Sequence, residues 1–228
     1  MTGVDVSHWA CEAENWTAWA RTPGHDAFWG YRPSLASFIG EGQGPAVEIG
    51  CGEGRVSRLL TELGYEVTAV EPVRALLDAA REAGSASAYV EAPAADLPFE
   101  DGAFGLVLLY NVLMDVEDLE AAATEAARVL APGGRMVVGI VHPLADMPFA
   151  GEDEDCLSAR RFDETEERGG LAMRFGGWAR PMSHYVTALC GAGLVVTAMD
   201  EPRPEPSSEV ARRWSKRPLF LWMSLTKG

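Results

Sequence analysis

Residues 46–54 read Ala-Val-Glu-Ile-Gly-Cys-Gly-Glu-Gly, and no other stretch limits the fold of this chain so tightly. Val47 and Ile49 belong to an apolar run of strand character, and Gly50, Gly52 and Gly54 then interrupt it at every second position. Arg55 opens a helical pattern with Val56, Leu59, Leu60 and Leu63 on one face. Strand, glycine turn and helix together let bare backbone pass close to a ligand, because glycine carries no Cβ and tolerates positive φ. The spacing separates this loop from the G-x-G-x-x-G of dinucleotide sites. Here an acid, Glu48, stands two residues before the first glycine, where a diphosphate is unwelcome and a cationic ligand is not. A second strand, Glu66–Val70, ends at Glu71, about 20 residues beyond the loop, where an acid suits the two hydroxyls of a ribose.

These residues, with Leu97-Pro98-Phe99 and Leu130-Ala131-Pro132-Gly133-Gly134 further on, resemble the class I S-adenosylmethionine-dependent methyltransferases of the small-molecule, ubiquinone-type (methyltransferase type 11) subgroup. The resemblance is firm over roughly residues 45–142. It implies an α/β fold: a Rossmann-like, doubly wound seven-stranded sheet, mostly parallel with an antiparallel last strand, under an N-terminal helical lid. S-adenosyl-L-methionine is the cofactor it implies. Glu48, Gly50, Cys51 and Gly52 would line the methionine end, Glu71 and Pro72 the ribose, and the backbone at Ala94 and Ala95 the adenine. The acid that usually meets the adenine amino group falls at Pro93, which cannot do so, and Asp96 lies out of register. Tyr110 and Asn111, just past a strand at Phe104–Tyr110, would approach the transferable methyl, with Met114 on the acceptor side. Asn111 lacks the two prolines and aromatic that mark amino-methylation of bases or glutamine.

The flanks divide as 1–44, a helical lid; 45–142, the cofactor core; 143–180, an inserted substrate cover; and 181–228, a closing helix and strand pair. Trp9, Trp16, Trp19 and Trp29 crowd the first part around Arg21, which would meet the carboxylate of the methionine moiety, and Tyr31, an acceptor contact. A surface arginine in a loop explains Arg21 equally well. A second helix is expected over Asp26–Ile39, and another over Glu117–Leu130. In the insertion, acids at Glu152–Asp155 and Asp163–Glu167 read as solvated loop, while Met173, Phe175 and Trp178 suit a cover. If the acceptor is a hydroxyl, a general base is required and histidine is the default. His142 ends a strand at the crevice side, and His184 follows in the next helix. For His142, a plain packing role with one hydrogen bond is the stronger competing reading.

The formal charge of −15 argues against nucleic acid, which demands a basic footprint; the cluster Arg212, Arg213, Lys216, Arg217 is small and reads more simply as a solvated face. No apolar run reaches membrane-spanning length. Four cysteines without C-x-x-C spacing, and an N-terminus without signal-peptide character, fit a cytoplasmic protein. The leading expectation is methyl transfer to a small-molecule metabolite. The alternatives are an NAD(P)-dependent oxidoreductase on a similar sheet, and a protein that binds the cofactor without transferring its methyl group.

Overall fold

The computed structural model describes residues 6–146, 157–207 and 209–228. The chain opens with helices α1 (Val6–Arg21) and α2 (Phe28–Ile39). It then alternates through β1 (Pro45–Ile49), α3 (Arg55–Glu62), β2 (Glu66–Val70), α4 (Arg74–Glu82) and β3 (Ala88–Val90). Next come β4 (Phe104–Tyr110), α5 (Leu119–Val129), β5 (Leu130–Val141) and the short α6 (Pro143–Asp146). A hairpin, β6 (Arg160–Arg168) and β7 (Leu171–Ala179), precedes α7 (Met182–Gly191), β8 (Leu194–Asp200), α8 (Glu209–Trp214) and β9 (Phe220–Lys227).

Seven strands form one sheet in the order β3-β2-β1-β4-β5-β9-β8. β1, β2, β3, β4 and β5 run parallel, and β9 inserts antiparallel between β5 and β8. This is the architecture expected from the sequence. The period of two along the central strands sorts their side chains into two cores. Val47, Ile49, Val107 and Leu109 pack under α5 and α7, while Ala46, Leu106, Leu108 and Tyr110 pack under α2 and α3. β1 and β4 are neighbours, yet the chain leaves them toward opposite edges of the sheet. Their carboxyl ends therefore flank a switch point, the place where an open parallel sheet leaves a crevice for a ligand.

Helix boundaries follow local capping. Asp118 Oδ1 accepts the Ala121 N–H at 2.9 Å, so α5 starts at Leu119, two residues later than the apolar stripe suggests. Asp26 Oδ1 likewise accepts the Phe28 N–H at 2.6 Å and holds the chain outside α2, correcting the expected start at Asp26. Between β8 and β9, in a segment with prolines at 202, 204, 206 and 218, the chain forms α8.

The larger departure is the insertion. Glu152–Asp155 lie outside the described residues, but 160–179 is an ordered antiparallel hairpin and not a solvated loop. Gly169 and Gly170, with φ of 55° and 80°, supply the two positive-φ positions that a two-residue turn matched to strand twist requires. The hairpin packs on α1, and the Trp178 N–H donates to the Met114 carbonyl at 2.8 Å.

Candidate active site

A cavity of about 1040 Å³ opens at the carboxyl ends of β1, β2 and β4. Its floor is the glycine loop. Gly50, Gly52 and Gly54 all take positive φ. A Cβ on Gly50 would lie 2.4 Å from Val112, and one on Gly52 would lie 3.2 Å from the Trp16 indole nitrogen. Bare backbone is thus what the loop presents to the cavity and to α1 above it.

The loop amides are already engaged. Gly50 and Cys51 N–H both donate to the Val70 carbonyl, at 2.7 and 2.9 Å, and Gly54 N–H to the Cys51 carbonyl at 2.9 Å. The Gly52 N–H donates at 2.9 Å to Glu71 Oε2, while Glu71 Oε1 accepts from the Val73 N–H at 3.1 Å. Each Glu71 oxygen keeps further lone-pair capacity for a ligand hydroxyl. Burial pushes the Glu71 carboxyl up to about 7, against the lowering effect of those two amides. Burial pushes Glu48 up to about 8, although it accepts a hydrogen bond from the Ser57 hydroxyl. Arg55 offsets the rise at Glu48 in part, whereas the partners that lower Glu71 are uncharged amides.

Arg55, the first residue of α3, supplies the buried cation of this wall. Its guanidinium stacks 4.6 Å from the Trp16 ring centroid and 5.5 Å from that of Phe28, and pairs with Asp26 at 3.5 Å. Its Nε finds no hydrogen-bond partner, nor do the Tyr110 hydroxyl and Asn111 Oδ1. All three residues line the cavity. Asn111 also takes φ of 56°, a left-handed conformation that asparagine tolerates better than most residues.

The roof comes from α1 and the hairpin. Trp9, Trp16 and Trp19 descend from α1, and Phe175 meets Trp16 and Trp19 edge-on at 6.2 and 5.7 Å. From β6, alternate residues Phe162, Glu164, Glu166 and Arg168 line the cavity, as the period of a strand dictates. Asp115 closes the side near β4. Burial pushes its carboxyl well above the usual range, opposed by a hydrogen bond from the Trp9 side chain.

Of the residues singled out from sequence, Glu48, Gly50, Cys51, Gly52, Glu71, Pro72, Ala94, Tyr110, Asn111 and Met114 converge on this one cavity. Six do not line it. Ala95 lies beside Ala94, outside the lining. Arg21 is turned toward Glu53 at 3.0 Å and the Ala79 carbonyl at 2.9 Å, where it ties α1 to the glycine loop and α4. Tyr31 is fully buried under α2 against Phe220 and Trp222, because its position on the helix faces the sheet. Trp178 points to the other side of the hairpin, stacked between Arg161 and Arg180 in a shallow recess that also holds His184. His184 is exposed on α7, remote from the β1–β4 crevice.

His142 directly follows the end of β5, but its ring is spent on structure. Nδ1 accepts the Leu144 N–H at 3.0 Å and Nε2 lies 2.9 Å from Glu201 Oε1, leaving no nitrogen for a proton from a substrate. Sequence reasoning missed Arg55, Asp115 and the inward row of β6 as site residues. For Arg55 a signal existed: a cation at the first position of a helix opposes the macrodipole, so something beyond helix stability keeps it there.

Sheet order, glycine loop and second-strand acid together define the fold of class I S-adenosylmethionine-dependent methyltransferases. Residues 47–138 match the family described as "Methyltransferase domain". A demethylmenaquinone methyltransferase of Tropheryma whipplei is 32% identical over 116 residues, which are 50% of this chain and 48% of that protein. A malonyl-[acyl-carrier protein] O-methyltransferase of Serratia marcescens is 35% identical over 88 residues, 39% of this chain and 34% of that one. The chain therefore spans half or less of the length of these relatives. Among solved structures, an S-adenosylmethionine-dependent methyltransferase from Mesorhizobium loti superposes with a TM-score of 0.66 at 23% identity, covering 88% of this chain and 97% of that one.

Proposed function

We propose that this chain binds S-adenosylmethionine in the crevice between β1, β2 and β4 and transfers its methyl group to a small-molecule acceptor, as an enzyme of the cytoplasm. The observation that carries the reading is the internal pairing of the glycine-loop amides. A nicotinamide dinucleotide needs free N–H groups at this turn to cradle its diphosphate. Here Gly50, Cys51, Gly52 and Gly54 spend theirs on Val70, Glu71 and Cys51. What the loop offers instead is carbonyl oxygen, bare backbone and two buried carboxyl groups, Glu48 and Glu71, which suit a nucleoside carrying positive charge.

The residues present fit that group. Glu71, oriented by two backbone amides, would take the ribose hydroxyls, with Pro72, Val73 and Ala94 along the nucleoside. Arg55, with its unpaired Nε–H, and Asp26 beside it would take the carboxylate and ammonium of the amino-acid end, the role expected of Arg21. When bound, the cofactor supplies an electrophilic methyl on a sulfonium. The chain's own contribution is to fix the angle of approach and exclude water, which can account for several powers of ten in rate. Trp9, Trp16 and Phe175 exclude the water, and the 143–180 insertion acts as the substrate cover.

Calorimetric titration with S-adenosylmethionine, S-adenosylhomocysteine and NADH, side by side, tests the reading. Binding of the first two and no heat from the third is expected, and Glu71→Ala should abolish measurable binding while the thermal transition persists. Binding of NADH alone would overturn it.

A further inference from the structure

The cavity holds more carboxyl groups than one sulfonium cofactor explains. Asp26, Glu48, Glu71, Asp115, Glu164 and Glu166 face three arginines, Arg55, Arg168 and Arg212. Arg55 and Arg168 are matched within the wall, by Asp26 at 3.5 Å and Glu166 at 3.6 Å. Glu48, Glu71 and Asp115 receive hydrogen bonds only from uncharged donors among their nearest partners: a serine hydroxyl, two backbone amides and an indole. A low-dielectric cavity walled in this way attracts a further cation.

Independent of the acids, two polar groups at the end of β4 wait on a ligand. Tyr110 is 5% exposed, lines the cavity and leaves its hydroxyl without a partner. Asn111 next to it, held at φ 56° by its N–H bond to the Gly139 carbonyl at 2.8 Å, leaves Oδ1 buried and unpaired. A buried carbonyl oxygen without a donor costs about 1–3 kcal/mol, a cost that a ligand N–H removes. Strain and an orphaned acceptor on one residue, at the end of the central strand, are the marks of a ligand-facing position.

Resting on the function proposed above, we infer that the acceptor is an amine on an aromatic or apolar body, and that Asn111 Oδ1 receives its N–H and so positions the nitrogen for N-methylation. The acidic wall draws the ammonium in. The positive charge of the bound cofactor then lowers the affinity of that nitrogen for its proton, which leaves to water at the cavity mouth. The nitrogen lone pair forms the N–CH3 bond as the C–S bond breaks, that electron pair departs on sulfur, and the positive charge passes from sulfur to nitrogen. No protein base is consumed in the transfer; His142 and His184 lie outside the lining, and His25, which is in it, is not required.

The test uses the full-length protein, methyl-labelled S-adenosylmethionine, and three probes of one shape: 2-phenylethylamine, 2-phenylethanol and 3-phenylpropanoate. Label should pass to the amine and not to the alcohol or the acid. Asn111→Gly keeps the left-handed backbone and removes the oxygen; it should cost about a hundredfold in kcat/KM for the amine. Asn111→Asp, which presents oxygen whichever way the group turns, should retain activity within about tenfold. In both variants the affinity for S-adenosylhomocysteine, read by calorimetry, should stay within about twofold. Preference for the alcohol or the acid, transfer to none of the three, or an unaffected Asn111→Gly would overturn the amine assignment while homocysteine-cofactor binding persists. Absence of that binding in the wild type would overturn the underlying function instead.

Discussion

Arg55 and Arg21 show how little sequence distance says about a charged side chain. Both stand near the glycine loop, and both are arginines beside aromatic residues. Arg21 spends its guanidinium on Glu53 and a helix carbonyl, whereas Arg55 lies 8% exposed against Trp16 and Phe28 with Nε buried and unpartnered. A buried charge that has lost its counter-ion is costly, so Arg55 and Asp26 depend on each other and on the ligand. Arg55→Met, similar in volume, should weaken S-adenosylhomocysteine binding by about 2–3 kcal/mol and leave 5′-methylthioadenosine, which lacks the amino-acid end, almost unaffected. Arg21→Met should change neither affinity. Parallel calorimetric titrations of the two ligands decide between the arginines. The choice was not readable from sequence, because it depends on which side of α1 faces α4 and which face of α3 meets the aromatic lid.

At the scale of elements, the glycine turn was legible down to its residues, since three alternate glycines after an apolar run admit few backbones. The turn's glycines nonetheless do different work. Gly52 faces the cavity, but Gly54 caps α3 at φ 87°, with Ser85 Oγ only 2.3 Å from where a Cβ would sit. Gly54→Ala combines left-handed strain with overpacking and should cost about 2–4 kcal/mol, seen as a lower urea midpoint. The β6–β7 hairpin was the least legible element. Its run of acids hid a period-two pattern, Phe162-Glu164-Glu166-Arg168, whose inward face serves a polar cavity. Alternation is read as apolar against polar, and this strand presents charge on both faces. Helix α8 was hidden for a different reason, the prolines at 202, 204, 206 and 218 on either side of it, which read as turn.

Over the whole molecule, the order of landmarks fixed the sheet, because parallel strands with short helical crossovers leave few right-handed topologies. What the order could not convey is the electrostatic cost of the crevice. Glu48 and Glu71 titrate near 4.5 when exposed, and burial raises them to about 8 and about 7 in the folded protein. Between those limits the folded state binds more protons than the unfolded chain, so stability falls as pH rises from about 4.5 and the loss is complete above about 8. The ligand-free protein should therefore melt at a lower temperature at pH 8.5 than at pH 6, and Glu48→Gln should flatten that dependence. A cationic ligand reverses the effect by favouring the ionised carboxylates, so its thermal stabilisation should grow over the same interval.

The tryptophans that α1 hangs over the crevice have a practical corollary. Trp9, Trp16 and Trp19 of α1 and Trp214 of α8 line the cavity, while Trp222 sits fully buried on β9. Ligand entry alters the surroundings of the first four indoles and leaves the last in its apolar bed, so the protein carries its own optical reporter. Changes in emission on filling the crevice belong to α1 and α8, against a constant signal from the core, and occupancy can be followed without labelling either partner.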